Sequence, residues 1–151
     1  GMALMPSDEP AVWDDGDRFG LTCSWGNDES IRAAAGEVLG PQEIARIGAI
    51  SLQIVVSDGG LAKAEAESVG MALADKRADA IGAWIMANHE LDLGSSLTAV
   101  APQVIVGDIS VAFASSGAWM NTPENLSSIT NDWAIASAIK VHQMLKRPPG
   151  G

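Results

Sequence analysis

The sequence predicts a single α+β domain that is mostly helical, with one long helix rich in small residues and a small antiparallel sheet. Three observations indicate this class. The chain of 151 residues is 47% hydrophobic yet has a net charge of −10, which is typical of one large core under an acidic surface. Small and aliphatic residues recur at helical spacing through residues 61–89. Two shorter segments show the alternation that is typical of strands.

Three regions are expected along the chain. Residues 1–17 are predicted to be a flexible acidic N-terminal arm, because they hold five carboxylates and few large apolar anchors. A single globular domain is predicted over residues 18–147. Residues 148–151 are Pro-Pro-Gly-Gly, and this composition predicts a disordered tail.

The first structured elements are a strand and a helix. The strand is predicted over Phe19–Trp25, where large apolar residues occupy every second position. A helix is then expected from a cap at Asn27 or Asp28 to about Leu39. Pro41 follows, at a position where proline favours the start of a second helix.

The segment 49–56 has two interpretations. It either continues the helix that starts at Pro41, or it forms a buried strand, because apolar residues also alternate there. We favour the helix, since the proline and the Ser57–Gly60 stop enclose one continuous element. A strand at this position would add a member to the small sheet.

The long helix is predicted from Leu61 to about His89. Its inner stripe steps by four and three residues and is formed by Ala64, Ser68, Met71, Ala74, Ala78, Ile81 and Ile85. A helix of this length spans about 42 Å, more than the width of a domain of this size. It is therefore expected either to kink near Gly70 or Gly82 or to project into a partner subunit.

Further elements follow in the second half of the predicted domain. Residues Gln103–Ala114 alternate and form one long strand or a hairpin that turns at Gly107–Asp108. A final amphipathic helix starts at Asn131 or Asp132 and continues through Lys146.

Charge and cysteine content restrict the possible partners. Nineteen acidic residues against nine basic ones leave no basic stripe, so neither nucleic acid nor an anionic membrane is expected to bind. The single cysteine, Cys23, and the lack of a secretory N-terminal pattern predict a cytoplasmic protein. No cofactor and no metal site is expected. A basic protein or a second copy of the chain is the expected partner.

The candidate catalytic residues cluster after the predicted long helix. His89, Glu90 and Asp92 place an imidazole beside carboxylates, as a general base requires, and His142 is the only other histidine. The competing interpretation is structural. His89 would favourably cap a negative helix terminus, and the two acids would be solvated loop residues.

The candidate binding residues come mainly from the tryptophans. Trp119 and Met120 follow a predicted strand, and Trp13 lies in the acidic arm, so neither site has an obvious core face to cover it. Trp84 lies beside the stripe of the long helix and is the fourth candidate. In the competing interpretation Trp13 and the Trp119–Met120 loop fill the ends of the core, and Trp84 belongs to the core itself.

These observations favour a non-enzymatic binding or assembly protein that acts through protein–protein contacts. One alternative is a small hydrolase or isomerase that uses His89 as general base. Another is a carrier of a small apolar ligand, lined by Met71, Met86 and Met144. An assembly protein requires a flat apolar patch rimmed by charge, an enzyme requires His89 beside a cleft, and a carrier requires an enclosed apolar cavity.

Overall fold

The chain folds around one antiparallel β-sheet. The computed structural model describes residues 2–5, 11–58, 62–87, 98–117 and 130–146. In these ranges the strands are β1 (Ala3–Leu4), β2 (Ala11–Asp14), β3 (Arg18–Gly26), β4 (Ala49–Ser57), β5 (Ala72–Leu73), β6 (Trp84–Met86), β7 (Thr98–Val100), β8 (Gln103–Val106) and β9 (Ile109–Ser116). The helices are α1 (Asp28–Ala34), α2 (Pro41–Ile44), α3 (Lys63–Ser68), α4 (Lys76–Asp79) and α5 (Asn131–Leu145).

Three long strands form the centre of the sheet. β4 lies between β3 and β9 and pairs with both along almost its whole length. Beyond β9 the order continues with β8, β6 and β5. The short strands β1 and β2 both pair with the outer edge of β3, and β7 pairs with the last residues of β9. All of these pairings are antiparallel. β2–β3 and β8–β9 are hairpins, whereas α1 and α2 lie between β3 and β4, and β4 pairs with the distant β9.

The predicted fold class is wrong, because the domain is not mostly helical. Strands hold more of the described residues than helices do, and the sheet is the largest element instead of a small addition. Within the described ranges, no helix is both long enough and apolar enough to cross a lipid bilayer.

The helix that we favoured for residues 49–56 is also wrong, and the alternative strand forms. α2 ends at Ile44, and Ala49–Ser57 is β4, the middle strand of the sheet. Ile50, Ile54, Val55 and Val56 are β-branched and lose rotamer freedom in a helix. Both edges of β4 find hydrogen-bond partners, so tertiary pairing decides between two local patterns of similar strength.

The predicted long helix does not exist. Four short elements replace it, namely α3, β5, α4 and β6. Neither expected form of the helix, one with a kink near Gly70 or Gly82 and one that projects into a partner subunit, is present, because both glycines have a φ of +71° and end short helices. The same terminal hydrogen bond follows each glycine, from Met71 N–H to Ala66 O and from Ala83 N–H to Ala78 O.

The core lies between the sheet and α5. α5 packs against β8 and β9 and begins at a Thr130 cap, so the predicted last helix is confirmed to within a residue or two at each end. The buried core residues are Ala78, Ala83, Ile85, Ala101, Val104, Val111, Phe113, Ala134, Ile135, Ala138 and Ile139. Ala134 and Ala138 are at most 1% exposed, and their small side chains bring α5 close to the sheet.

The two other predicted strand segments are confirmed. Phe19–Trp25 lies within β3, and Gln103–Ala114 forms the β8–β9 hairpin, which turns at Gly107–Asp108. Within residues 1–17, for which a flexible arm is expected, Ala3–Leu4 and Ala11–Asp14 are strands on β3. The predicted tail at 148–151 lies outside the described residues.

Candidate functional site

The strand register assigns different side chains to the two faces of the sheet. Paired residues point to the same face, and neighbours along a strand point to opposite faces. One face carries Val111 and Phe113 beneath α5. We call it the α5 face. The opposite face, which we call the polar face, carries Arg18, Gln53, Ser57, Gln103 and Ser110.

The α5 face changes from buried to exposed across the sheet. Val111, Ile54, Leu21 and Val12 form one cross-strand row on β9, β4, β3 and β2. Val111 is fully buried, Ile54 and Leu21 are half-buried, and Val12 is 74% exposed. α5 therefore covers only the β8–β9 side of this face, and the side chains on the β1–β3 side lie open.

The uncovered part is an apolar surface. We call it the open apolar patch, and it consists of Leu4, Val12, Phe19, Leu21, Cys23 and Val56. Leu4 and Phe19 are each 52% exposed. Contiguous exposed apolar surface of this kind on a soluble protein marks a contact site or an aggregation liability. α5 packs against β8 and β9, on the other half of this face.

Charged groups border the patch at one end. β2 ends at Asp14, and the turn to β3 contains Asp15 and Asp17, followed by Arg18. Asp14 accepts a hydrogen bond from Gly16 N–H at 2.9 Å, and Asp15 accepts one from Arg18 N–H at 3.1 Å. Among the residues that β1–β4 place on the α5 face, Asp14 is the only charged one.

The polar face holds a cavity of about 340 Å³. Its described lining is Trp13, Arg18, Gln53, Val55, Ser57, Met86, Gln103, Ser110 and Ala112. These residues come from six neighbouring strands, β2, β3, β4, β9, β8 and β6, so the cavity runs across the strands. Long side chains of Trp13 and Met86 stand at its two ends, and buried Ser110 forms part of its floor.

Two local contacts shape this cavity. The Ser110 hydroxyl donates to Gln103 Oε1 at 2.8 Å, which fixes the Gln103 amide along the floor. At the other end the Trp13 indole lies directly on Gly20, its partner across β2 and β3. A Cβ at residue 20 would come within 2.5 Å of Trp13 Cε2, so only glycine lets the ring rest there.

Gly20→Ala is therefore expected to displace the Trp13 ring and to lower the free energy of unfolding by about 2 kcal/mol, as overpacking does. In a Trp13→Ala background the same change should cost less than about 0.5 kcal/mol. The reason is that the three atoms nearest to the added Cβ all belong to the Trp13 ring. Chemical denaturation of the four proteins of this double-mutant cycle measures the coupling. Equal costs of Gly20→Ala in both backgrounds would contradict the contact.

The structure places His142 in the core. It is 2% exposed, and its Nε2 donates to Val104 O at 2.8 Å. Burial lowers the pKa of the His142 imidazole, and the nearby Lys146 ammonium acts in the same direction, while the bond to Val104 opposes both. A neutral ring that donates to a backbone carbonyl joins α5 to β8. The described lining of the polar cavity does not include it.

The other candidate residues are distributed unevenly. Trp13 lines the polar cavity. Trp84 of β6 also lies on the polar face of the sheet, where it pairs with Ile105. His89, Glu90, Asp92, Trp119 and Met120 lie outside the described residues. Of the methionines considered for a ligand carrier, Met86 lines the polar cavity and Met144 is 67% exposed on α5.

The sequence pattern does not single out several residues of these surfaces. Gln53 and Arg18 face the cavity only because β4 is a strand in register with β3. The alternation of apolar residues over 49–56 already indicated this strand, but we favoured a helix there. Gln103 and Ser110 require the β8–β9 hairpin register, which composition alone does not give.

Comparisons with protein families, with curated proteins and with solved structures find no match for this chain.

Proposed function

We propose that the protein is a non-enzymatic binding protein that assembles with a second copy of itself through the open apolar patch. The observation that carries the proposal is the exposure of Leu4, Val12 and Phe19, at 52%, 74% and 52%, on a face whose other half is the core. Packing a second sheet on this face would remove apolar surface from water and complete a two-layer arrangement.

The charge distribution favours a second copy as the partner. The chain has a net charge of −10, but the patch itself consists of uncharged side chains. Two patches can therefore meet without bringing like charges into contact. A basic partner would gain most from acidic groups inside its contact surface, and here Asp14 lies only at the corner.

A symmetric dimer can also keep its acidic turns apart. With a two-fold axis across the strands, the Asp14–Arg18 turns of the two copies lie at opposite ends of β3. A nine-residue strand is about 30 Å long, well beyond the Debye length of about 8 Å at physiological ionic strength. The two acidic turns then do not repel each other at short range, and only the net charges of the two copies oppose the dimer.

The experiment compares Val12→Asp with Val38→Asp in sedimentation velocity or light scattering over about 1 to 100 µM protein. Both changes replace an exposed valine by the same charged group, but Val38 is 94% exposed after α1 and lies off the patch. Val12→Asp should weaken the dimer at least about 100-fold, since each symmetric interface would bury two unpaired carboxylates. Val38→Asp should leave the dimer intact.

Two further measurements separate a second copy from another partner. Val12→Lys moves the net charge towards zero and should still disrupt the dimer, because burial of either sign of charge is unfavourable. Added salt should strengthen self-association by screening repulsion, whereas it would weaken binding to a basic protein. A wild-type protein that stays monomeric at about 100 µM would overturn the proposal.

The cytoplasmic location predicted from the single cysteine remains part of this proposal, and the half-buried state of Cys23 in the patch fits a free thiol.

A further inference from the structure

We propose that the cavity on the polar face is a binding site for a small organic carboxylate with an apolar or aromatic body. This site is separate from the open apolar patch, because it lies on the opposite face of the sheet. Binding of a ligand at this site does not depend on the proposed self-assembly.

The lining combines apolar walls with neutral polar groups. Val55, Ala112, Met86 and Trp13 supply apolar surface, and two amides and two hydroxyls supply hydrogen-bonding groups. A few placed polar groups within apolar walls are typical of small-molecule sites. A volume of about 340 Å³ is at the lower end for such sites, so it favours a ligand of one or two rings.

The charge of the lining favours an anion. Arg18 is the only charged residue in the described lining, so these lining residues carry a formal charge of +1 on a chain whose net charge is −10. Nineteen acidic residues are present in the chain, yet none belongs to the described lining. Asp15, the ion-pair partner of Arg18, lies outside the described lining, so the charged group that lines the cavity is one that attracts an anion.

The setting of Arg18 holds its guanidinium at the cavity. The guanidinium carbon lies 6.0 Å from the centre of the Trp13 ring, within the range of a cation–π contact. One Nη donates to Asp15 Oδ2 at 2.9 Å, which fixes the side chain from one side. Among the described residues, Asp15 is the only acceptor of this guanidinium, so its remaining N–H groups are available to a ligand.

These contacts select a carboxylate over a more highly charged group. A guanidinium can donate two parallel hydrogen bonds to one carboxylate. The neighbouring Asp15 carboxylate would repel a second negative charge, so a phosphate dianion is disfavoured at this position. The amides of Gln53 and Gln103 can bond a polar substituent elsewhere on the ligand.

The test measures binding of naphthoate and of its neutral analogue naphthamide by isothermal titration calorimetry. Arg18→Gln is compared with Arg46→Gln, an arginine of nearly equal exposure (58% and 59%) that lies outside this cavity. Arg18→Gln should weaken naphthoate binding at least about tenfold, while Arg46→Gln changes it less than about twofold. Naphthamide should bind more weakly, and its affinity should not respond to Arg18→Gln.

Circular dichroism and thermal unfolding of each variant show whether it is folded. Naphthoate that binds wild type and Arg18→Gln equally well would overturn the proposal, as would a wild-type protein with no heat of binding at millimolar naphthoate. Tighter binding of naphthamide than of naphthoate would overturn it too. Val12→Asp should leave naphthoate binding unchanged, so the outcome is independent of the state of assembly.

Discussion

Gly117→Ala is expected to lower the free energy of unfolding by about 4 kcal/mol, whereas Gly16→Ala should cost only about 1 to 2 kcal/mol. The two glycines share a φ of +94°, a conformation that is strained for alanine at either position. They differ in what a Cβ would meet. At Gly16 there is nothing within 4 Å, but at Gly117 the Cβ would come within 2.7 Å of the Ile47 carbonyl carbon.

The backbone beside Gly117 has little freedom to move away. Gly48 N–H donates to the Ser30 hydroxyl at 3.1 Å, and that hydroxyl donates to Gly48 O at 2.8 Å. Asn27 N–H donates to the same carbonyl at 3.0 Å. These bonds join the start of β4 to α1, so relief of the clash would have to break them or displace the end of β9.

Urea denaturation of the wild type and the two variants measures this difference. Because φ and the substitution are matched, subtracting the Gly16→Ala cost from the Gly117→Ala cost isolates the close approach of Gly117 to Ile47. An equal loss in both variants would show that the β4–β9 corner is more open than the structure places it.

The sequence predicted some elements well because their local signals agree with their tertiary setting. Phe19–Trp25, the Gly107–Asp108 hairpin and the last helix each combine one clear periodicity with a cap or turn. The prediction of the long helix was wrong because a segment rich in alanine has small residues at helical spacing whatever structure it forms. A kink near Gly70 or Gly82 is one of its two expected forms, but the positive φ values of these glycines end the short helices α3 and α4.

The candidate surfaces were harder to predict than the elements. Trp13 was singled out for its aromatic surface, and the structure places it at the polar cavity. The open apolar patch depends on which half of the sheet α5 covers, and that choice is made by the small residues Ala134 and Ala138 in three dimensions. The spacing of residues within β2 and β3, the strands of Val12 and Phe19, does not show which half of the sheet the helix covers.

His142→Ala is expected to cost about 3 kcal/mol of unfolding free energy at pH 7.5. The change removes a buried ring that is 2% exposed and leaves Val104 O without its hydrogen-bond donor. His142→Gln offers an amide donor of similar reach, so it should cost clearly less. Urea denaturation at pH 7.5 compares the two variants, and equal losses would contradict the importance of the hydrogen bond.

The pH dependence distinguishes the imidazole from any neutral replacement. Burial holds the folded-state pKa of His142 below its unfolded value of 6.5, so the unfolded chain binds a proton first as the pH falls. Stability from this group is complete above about pH 7 and is lost as the pH falls below 6.5, by up to about 1.4 kcal/mol per pH unit until the folded-state pKa is reached. His142→Gln lacks this loss, so its deficit relative to the wild type should shrink between pH 7.5 and 5.5. A deficit that stays constant over this range would show that His142 titrates alike in the folded and unfolded chains, and that its ring is not held neutral against β8.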